Sequence, residues 1–307
     1  MMIKRTLLLS NPAYLRLKLG QIVITIPASE GKEERTVTRP IEDLGLVIIE
    51  SHSVTLTSAL LSELLAHNVA VITCDDHHMP QGLMLNLDGN TLQTERFLAQ
   101  INSSVPLRKQ LWQQTVKQKI ANQAAVLKFA SGAETGCLEE WSKAVRSGDP
   151  DNFEGRAAAY YWRRLFEESS NFRRGRFEEE PNHLLNYGYA ILRGIVARAL
   201  VGSGLLPTLG IHHCNRYNSY CLADDIMEPY RPYVDMMVVE IGKNFGLDTP
   251  LNREVKAILL GLPVVDVTID GLRRPLMVAA SMTSASLARC FLGEQKKISY
   301  PQLKVTT

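Results

Sequence analysis

From Tyr14 to Leu19 the chain alternates polar and apolar side chains (YLRLKL), the period-two signature of a half-buried strand. Gly20-Gln21 then leads into the β-branched run Ile22–Ile26, and the pair predicts a hairpin. A polar loop over residues 27–35 (PASEGKEER) precedes a short strand near Thr36–Thr38, and Leu44–Ile49 predicts another. Leucines at 56, 60, 61, 64 and 65 change the period to that of a helix, and Val69–Ile72 returns to a buried strand. The pattern therefore predicts a small β-rich domain carrying one helix over residues 1–80.

Residues 74–90 (CDDHHMPQGLMLNLDGN) are rich in turn formers and read as the connection, with a linker at 81–90. Beyond it helical periods dominate. Leu107, Leu111, Ile120, Ala124 and Leu127 mark the apolar face of one long helix whose exterior is basic and glutamine-rich. Residues 154–168, 181–201 and 233–245 predict three more helices. The fold class is α+β, with a larger all-α domain over 91–307 following the β-rich one.

Composition adds limits. The 307 residues suffice for two domains, each with its own core. Five scattered cysteines, an odd number, argue against a disulfide framework and for a reducing cytoplasm. The apolar run near the start is broken by Ser10-Asn11-Pro12, too early for a signal-peptide core. No stretch approaches the roughly 18–20 uncharged apolar residues that span a bilayer, so no membrane partner is expected. A net charge of +2 neither demands nor forbids nucleic acid. Basic residues do cluster beside aromatics: Arg163 and Arg164 follow Tyr160-Tyr161-Trp162, and Arg173, Arg174 and Arg176 follow Phe172. That interleaving suits phosphate contact with base stacking, and equally a solvated helix face and an exposed turn.

Chemistry concentrates in residues 209–232, LGIHHCNRYNSYCLADDIMEPYRP. His212, His213, Cys214 and Cys221 are zinc-type ligands, but the paired spacing of two to four residues that structural zinc sites use is missing. Asp225 and Glu228 are three apart and would share a face of a helical turn, with Pro229 placing them near a helix start. Acidic residues there also serve simply as caps and dipole partners. A third acid, Glu154, falls in the first turn of a helix opened by Gly148-Asp149-Pro150, with Asp151 or Asn152 as cap. Gly155 and Ala157–Ala159 would keep the surface beside it low, leaving room for a bulky substrate. One Glu, one His and a further Glu or Asp form a mixed N/O set suited to Mg²⁺ or Mn²⁺ in phosphoryl transfer. The Asp75-Asp76-His77-His78 cluster reads as a solvated turn and stays outside the set.

Across residues 209–235 the sequence resembles the signature of the CRISPR-associated integrase family, CRISPR-associated protein one, the catalytic subunit of spacer acquisition. FEGRAAAYYW (153–162), NHLLNYGYAILRGIVARAL (182–200) with GLLPTLG (204–210), and MTSASLARCFLGE (282–294) before Tyr300-Pro301 agree with it in order. The spacing from His213 to Glu228 is most similar to the type II branch. The resemblance implies that the helical domain is catalytic and that the metal triad is Glu154, His213 and Glu228, with Asp225 as an accessory acid. His212 departs from the family pattern, which has an apolar or aromatic residue there. Asn182 and Tyr189 belong to the shared helix motif and are expected to hold the site together.

The resemblance further implies a Mg²⁺- or Mn²⁺-dependent DNA endonuclease and integrase acting in antiviral defence. The 3′-hydroxyl of a spacer fragment attacks a phosphodiester at a repeat boundary of the CRISPR array. Implied partners are double-stranded DNA, a second copy in a homodimer formed through the β domain, and a small ferredoxin-like companion subunit. A large RNA-guided nuclease of a type II system joins that list. Arg163, Arg164, Arg173, Arg174 and Arg176 are the expected DNA-backbone contacts. The competing expectation is a metal-dependent repair nuclease that cuts branched DNA without integrating it.

Overall fold

The computed structural model describes residues 4–29, 31, 33–166, 172–175 and 180–304. The chain divides into two compact units, Met1–Thr91 and Leu92–Thr307.

The first unit contains β1 (Arg5–Leu9), β2 (Ala13–Lys18), β3 (Gln21–Ile26), β4 (Arg35–Pro40), β5 (Leu44–Ile49), β6 (Val54–Leu56), α1 (Ser58–Ala66), β7 (Ala70–Cys74) and β8 (Pro80–Met84). They form two four-stranded sheets in the orders β1-β5-β7-β8 and β4-β3-β2-β6. The expected hairpin is present, with Leu15 opposite Ile24 and Leu17 opposite Ile22. α1 starts at Thr57, whose Oγ1 accepts the Leu60 amide, and turns Leu60 and Leu64 into a core shared with Leu15, Ile22, Ile24, Val47 and Val71.

Two readings need correcting here. Leu56 belongs to β6 and not to the helix. The segment read as a linker holds β8, which pairs antiparallel with β7. The turn formers before it are the hairpin's own turn. Asp75 Oδ1 accepts the His77 and Met79 amides, and the Met79 bond holds the Asp75 carboxyl below its ordinary range. His52 and His78 face Asp76 and Glu50 at 3.5 and 3.7 Å around that turn.

The second unit contains α2 (Gln93–Ile101), α3 (Val105–Ser131), α4 (Gly136–Ala144), α5 (Phe153–Leu165), α6 (Asn182–Gly202), α7 (Cys221–Met227), a 3-10 turn (Glu228–Tyr230), α8 (Arg231–Phe245), α9 (Arg253–Leu259), β9 (Asp266–Ile269), β10 (Leu272–Pro275) and α10 (Leu276–Phe291). The β9–β10 hairpin amends the all-α expectation; its two strands flank Asp270-Gly271, a turn signal present in the sequence. α6 is long and apolar enough to cross a membrane by length and composition, yet most of it is buried within this unit. Its continuous apolar surface is what a central helix needs to pack on every side.

α3 is the other long element. Ser104 caps its start by accepting the Leu107 amide, and it packs against α4, α5, α8 and the 3-10 turn. Because neighbours surround it, its polar residues are not all exterior as the periodicity suggested: Thr115, Lys119, Asn122 and Gln123 are buried. Residues after α10 then cross this helix as a strap. The Tyr300 hydroxyl lies 2.8 Å from Thr115 Oγ1, the Ile298 amide donates to Gln114, and Asn122 donates to the Pro301 carbonyl while accepting the Leu303 amide. The Gln302 amide continues the strap onto Thr268 of β9.

Candidate active site

Glu154 is placed by its helix start. Asp149 Oδ1 and Oδ2 accept the Phe153 and Glu154 amides at 2.9 Å, and the Asn152 side chain accepts the Gly155 amide at 3.2 Å. Four orphan amides at a helix start need such partners. A Cβ at Gly155 would lie 2.8 Å from Asn152 Oδ1, so glycine is required there by the cap. The capped turn leaves the Glu154 side chain at 32% exposure, the more open of the site's two glutamates.

His213 sits in the loop between α6 and α7, and Asp225 organises that loop from inside α7. Its Oδ2 accepts the Ile211 and His212 amides at 2.7 and 2.9 Å, and Oδ1 accepts the His213 amide at 3.3 Å and the His213 Nδ1–H at 2.5 Å. The carboxylate is fully buried. Its hydrogen bond raises the His213 pKa against the opposing effect of burial. With Nδ1–H donated inward, Nε2 carries the imidazole lone pair, the arrangement typical of a histidine ligand held by a carboxylate. The loop can close this tightly because a Cβ at Gly210 would stand 2.2 Å from the His213 carbonyl.

The neighbouring residues finish the loop. The Cys221 thiol, buried, donates to the Asn215 and Asn218 carbonyls, and exposed Cys214 lies elsewhere on the loop. Asp224 holds Arg193 in a two-point ion pair and accepts from Asn218. His212 stacks on Trp112 of α3, ring centroids 4.1 Å apart and planes parallel within 1°, and His213 meets the same indole edge-on. Burial, with His213 nearby, lowers the His212 pKa, so it stacks as a neutral ring.

Glu228 opens the 3-10 turn directly after α7, so Glu228 and Pro229 lie in a different element from the one holding Asp225. This corrects the expectation that both acids share one helix start. Lys119 of α3 bridges the two glutamates: its ammonium pairs with Glu154 Oε1 and lies 2.5 Å from Glu228 Oε2. Arg231 pairs with Glu228 Oε1 at 2.8 Å. Burial alone would raise the Glu228 pKa, but Arg231 and Lys119 bring it down to about 2. Burial likewise pulls Lys119 down, and Glu228 with Glu154 reverses this to a net rise.

The donor set fits a hard divalent cation: two carboxylates, one imidazole with an available lone pair, and a resident positive charge already between the carboxylates. Among the described residues no three His, Cys, Asp or Glu side chains form a ready cage. Lys119 holds the space between Glu154 and Glu228 instead. Neither Lys119 nor Trp112 is evident from periodicity, since a lysine on a glutamine-rich helix reads as solvent-facing.

Further in, Tyr161 and Tyr189 hydroxyls donate to Asp235 of α8, whose carboxyl burial raises to about 6 despite those bonds. Arg231 and Arg174 guanidinium groups lie 4.6 and 5.0 Å from the Tyr189 ring centre. Arg174 also donates to Asn182 and Asn186. Asn182 and Tyr189 thus belong to the packing behind Glu228. Of the basic residues, Arg163 and Arg173 are exposed, Arg164 stacks 3.7 Å over the Tyr160 ring, Arg174 is turned inward, and Arg176 lies outside the described residues. Beside His213 a cavity of about 460 Å³ opens, lined by Arg108, Leu209, Cys214, Arg216 and Phe291 among others.

A β-rich unit is thus followed by a helical unit that holds two glutamates joined by a lysine and a histidine held by a buried carboxylate. Residues 7–249 match the family model described as CRISPR associated protein Cas1, and the chain belongs to that family. It is 38% identical over 267 residues to the CRISPR-associated endonuclease Cas1 of Neisseria meningitidis serogroup C, covering 87% of this chain and 85% of that protein. By fold it is similar to a casposase bound to integration product, with a TM-score of 0.80, 20% identity, and coverage of 99% of this chain and 96% of that one. A Cas6-RT-Cas1–Cas2 complex matches with a TM-score of 0.74 and 18% identity over 99% of this chain and 37% of that chain.

Proposed function

We propose that this member of the Cas1 endonuclease and integrase family inserts spacer DNA into a CRISPR array by metal-dependent transesterification. The observation that carries the reading is that Glu154 and Glu228 meet at one buried ammonium while Asp225-held His213 lies within electrostatic reach of both glutamates. The 3′-hydroxyl oxygen of the fragment bonds to the repeat-boundary phosphorus, and the bond from phosphorus to the repeat's 3′-oxygen breaks. The hydroxyl proton leaves the nucleophile and a proton reaches the departing oxygen, so the reaction needs no ATP.

Glu154, His213 Nε2 and Glu228 would hold Mg²⁺ or Mn²⁺. When bound, that ion supplies charge neutralisation at the attacking and leaving oxygens. Asp225 fixes the histidine tautomer and ring direction. Arg231 keeps Glu228 ionised inside a buried setting. The cavity beside His213, with Arg108 and Arg216 on its wall, suits the end of a DNA strand, and exposed Arg163 and Arg173 suit backbone contact. A companion subunit and a homodimer would line up such strips from several copies; a structurally similar protein has been solved in a Cas6-RT-Cas1–Cas2 complex.

The test pairs a 3′-hydroxyl duplex with supercoiled array plasmid in Mg²⁺ or Mn²⁺. Joined product is expected from the wild type, and loss of at least about a hundredfold in Glu154→Gln, His213→Ala and Glu228→Gln. Cleavage without joining under every condition would replace integration with the repair-nuclease reading.

A further inference from the structure

The strongest feature not used by the proposed chemistry is Lys119. Its ammonium is buried, within ion-pair reach of both candidate glutamate ligands, and carried by a helix that contacts both α5 and the 3-10 turn. We propose that Lys119 is the site's resident counter-cation: it holds Glu154 and Glu228 in register in the metal-free protein, and an entering divalent ion must displace it. This rests on the reading of Glu154, His213 and Glu228 as ligands.

Charge and space both argue for exchange. Two carboxylates facing one another repel, and the buried one, Glu228, needs a cationic partner to remain ionised. Arg231 supplies one partner, to Glu228 alone, from the side of Tyr189. Lys119 supplies the second, and it is the cation shared by the two glutamates. Without it the pocket would lower its negative charge by protonation or by spreading the carboxylates apart. With it, charge stays balanced and the carboxylate spacing is preserved for a cation.

A divalent ion bridging Glu154 and Glu228 would take oxygen lone pairs that the ammonium now occupies. Ion and ammonium at that spacing would repel, so one must leave. The lysine stem is flexible and Glu154 is the more exposed of its two partners, so the ammonium would leave on the Glu154 side. Lys119 is therefore a positioning residue for the metal-free site.

The test measures Mn²⁺ alone, without DNA or turnover. Calorimetric titration should show Lys119→Met binding Mn²⁺ about tenfold or more tightly than wild type, because a competing unit charge has gone. In EDTA the same variant should melt earlier than wild type, and Mn²⁺ should recover most of that loss. On unmodified protein, Mn²⁺ should raise acylation of Lys119 by a small amine reagent several-fold, read by peptide mass spectrometry. This readout decides if Lys119→Met does not fold. Wild type that binds Mn²⁺, with equal or weaker affinity in folded Lys119→Met or unchanged Lys119 labelling, overturns the inference while the metal reading stands. Mn²⁺ binding by neither protein overturns both.

Discussion

Asp225 holds His213 at two levels: the His213 Nδ1 lies 2.5 Å from Asp225 Oδ1, and the same buried carboxylate accepts three consecutive loop amides. The aspartate thus fixes the backbone that carries the histidine as well as its ring. Asp225→Asn would present an NH₂ group to at least one of these donors. Mn²⁺ affinity is expected to fall about 10–100-fold, the usual cost of losing a carboxylate behind a histidine ligand. Calorimetric titration checks it; unchanged affinity would separate Asp225 from ligand orientation.

The stack of His212 on Trp112 gives a structural role to a residue where the resemblance led one to expect an apolar or aromatic side chain. A neutral imidazole lying flat on an indole does the packing work of an aromatic ring. Thermal melts should show His212→Ala losing about 1 kcal/mol, and His212→Phe retaining most of the wild-type stability. If His212→Phe loses as much as His212→Ala, stacking is not what the residue contributes.

Glu228 gives a pH signature. Its folded pKa of about 2 lies below the ordinary value, so its contribution is complete above about pH 4.5 and is lost as pH falls through about 2. Glu228→Gln should therefore be less stable than wild type by about 3 kcal/mol near pH 6, with the gap closing toward pH 2. Urea unfolding in EDTA across that range tests the sign; a gap that widens on acidification contradicts it.

Asn122 joins the turn carrying Glu228 to the strap, donating to the Pro229 and Pro301 carbonyls at 2.7 and 3.0 Å. Asn122→Ala strands two buried acceptors and should cost about 2–3 kcal/mol in chemical denaturation. Strand joining should weaken with it, since Pro229 follows Glu228 directly. A variant as stable as wild type would mean that water replaces the amide without loss.

Much of this architecture was legible in the chain. The alternation at 14–19, the leucine period of α1 and the capping residues before α5 are local signals, and the structure follows them. Glu154 and the histidines and acids of 209–232 stood out as ligand-type residues, and only the resemblance, carried by four ordered motifs, singled out His213 and Glu228 among them. Lys119 was not legible, because helical period treats a lysine as exterior unless its carboxylate partners are known. Those partners arrive from α5 and from the turn after α7, far along the chain. β8 was hidden for a different reason: the turn that creates its hairpin supplied residues that read as a linker. The strap over α3 has no period at all.

That strap has a consequence for the order in which the protein is made. All three candidate ligands, and Lys119, have been synthesised by the time residue 228 emerges. Yet the segment that ties Asn122, Thr115 and Gln114 in place spans residues 298–303, well after Glu228 in the chain. A ribosome-bound chain therefore carries every reactive group while lacking the brace that seats their common helix. Among these contacts the brace over α3 is thus the last that a growing chain can form.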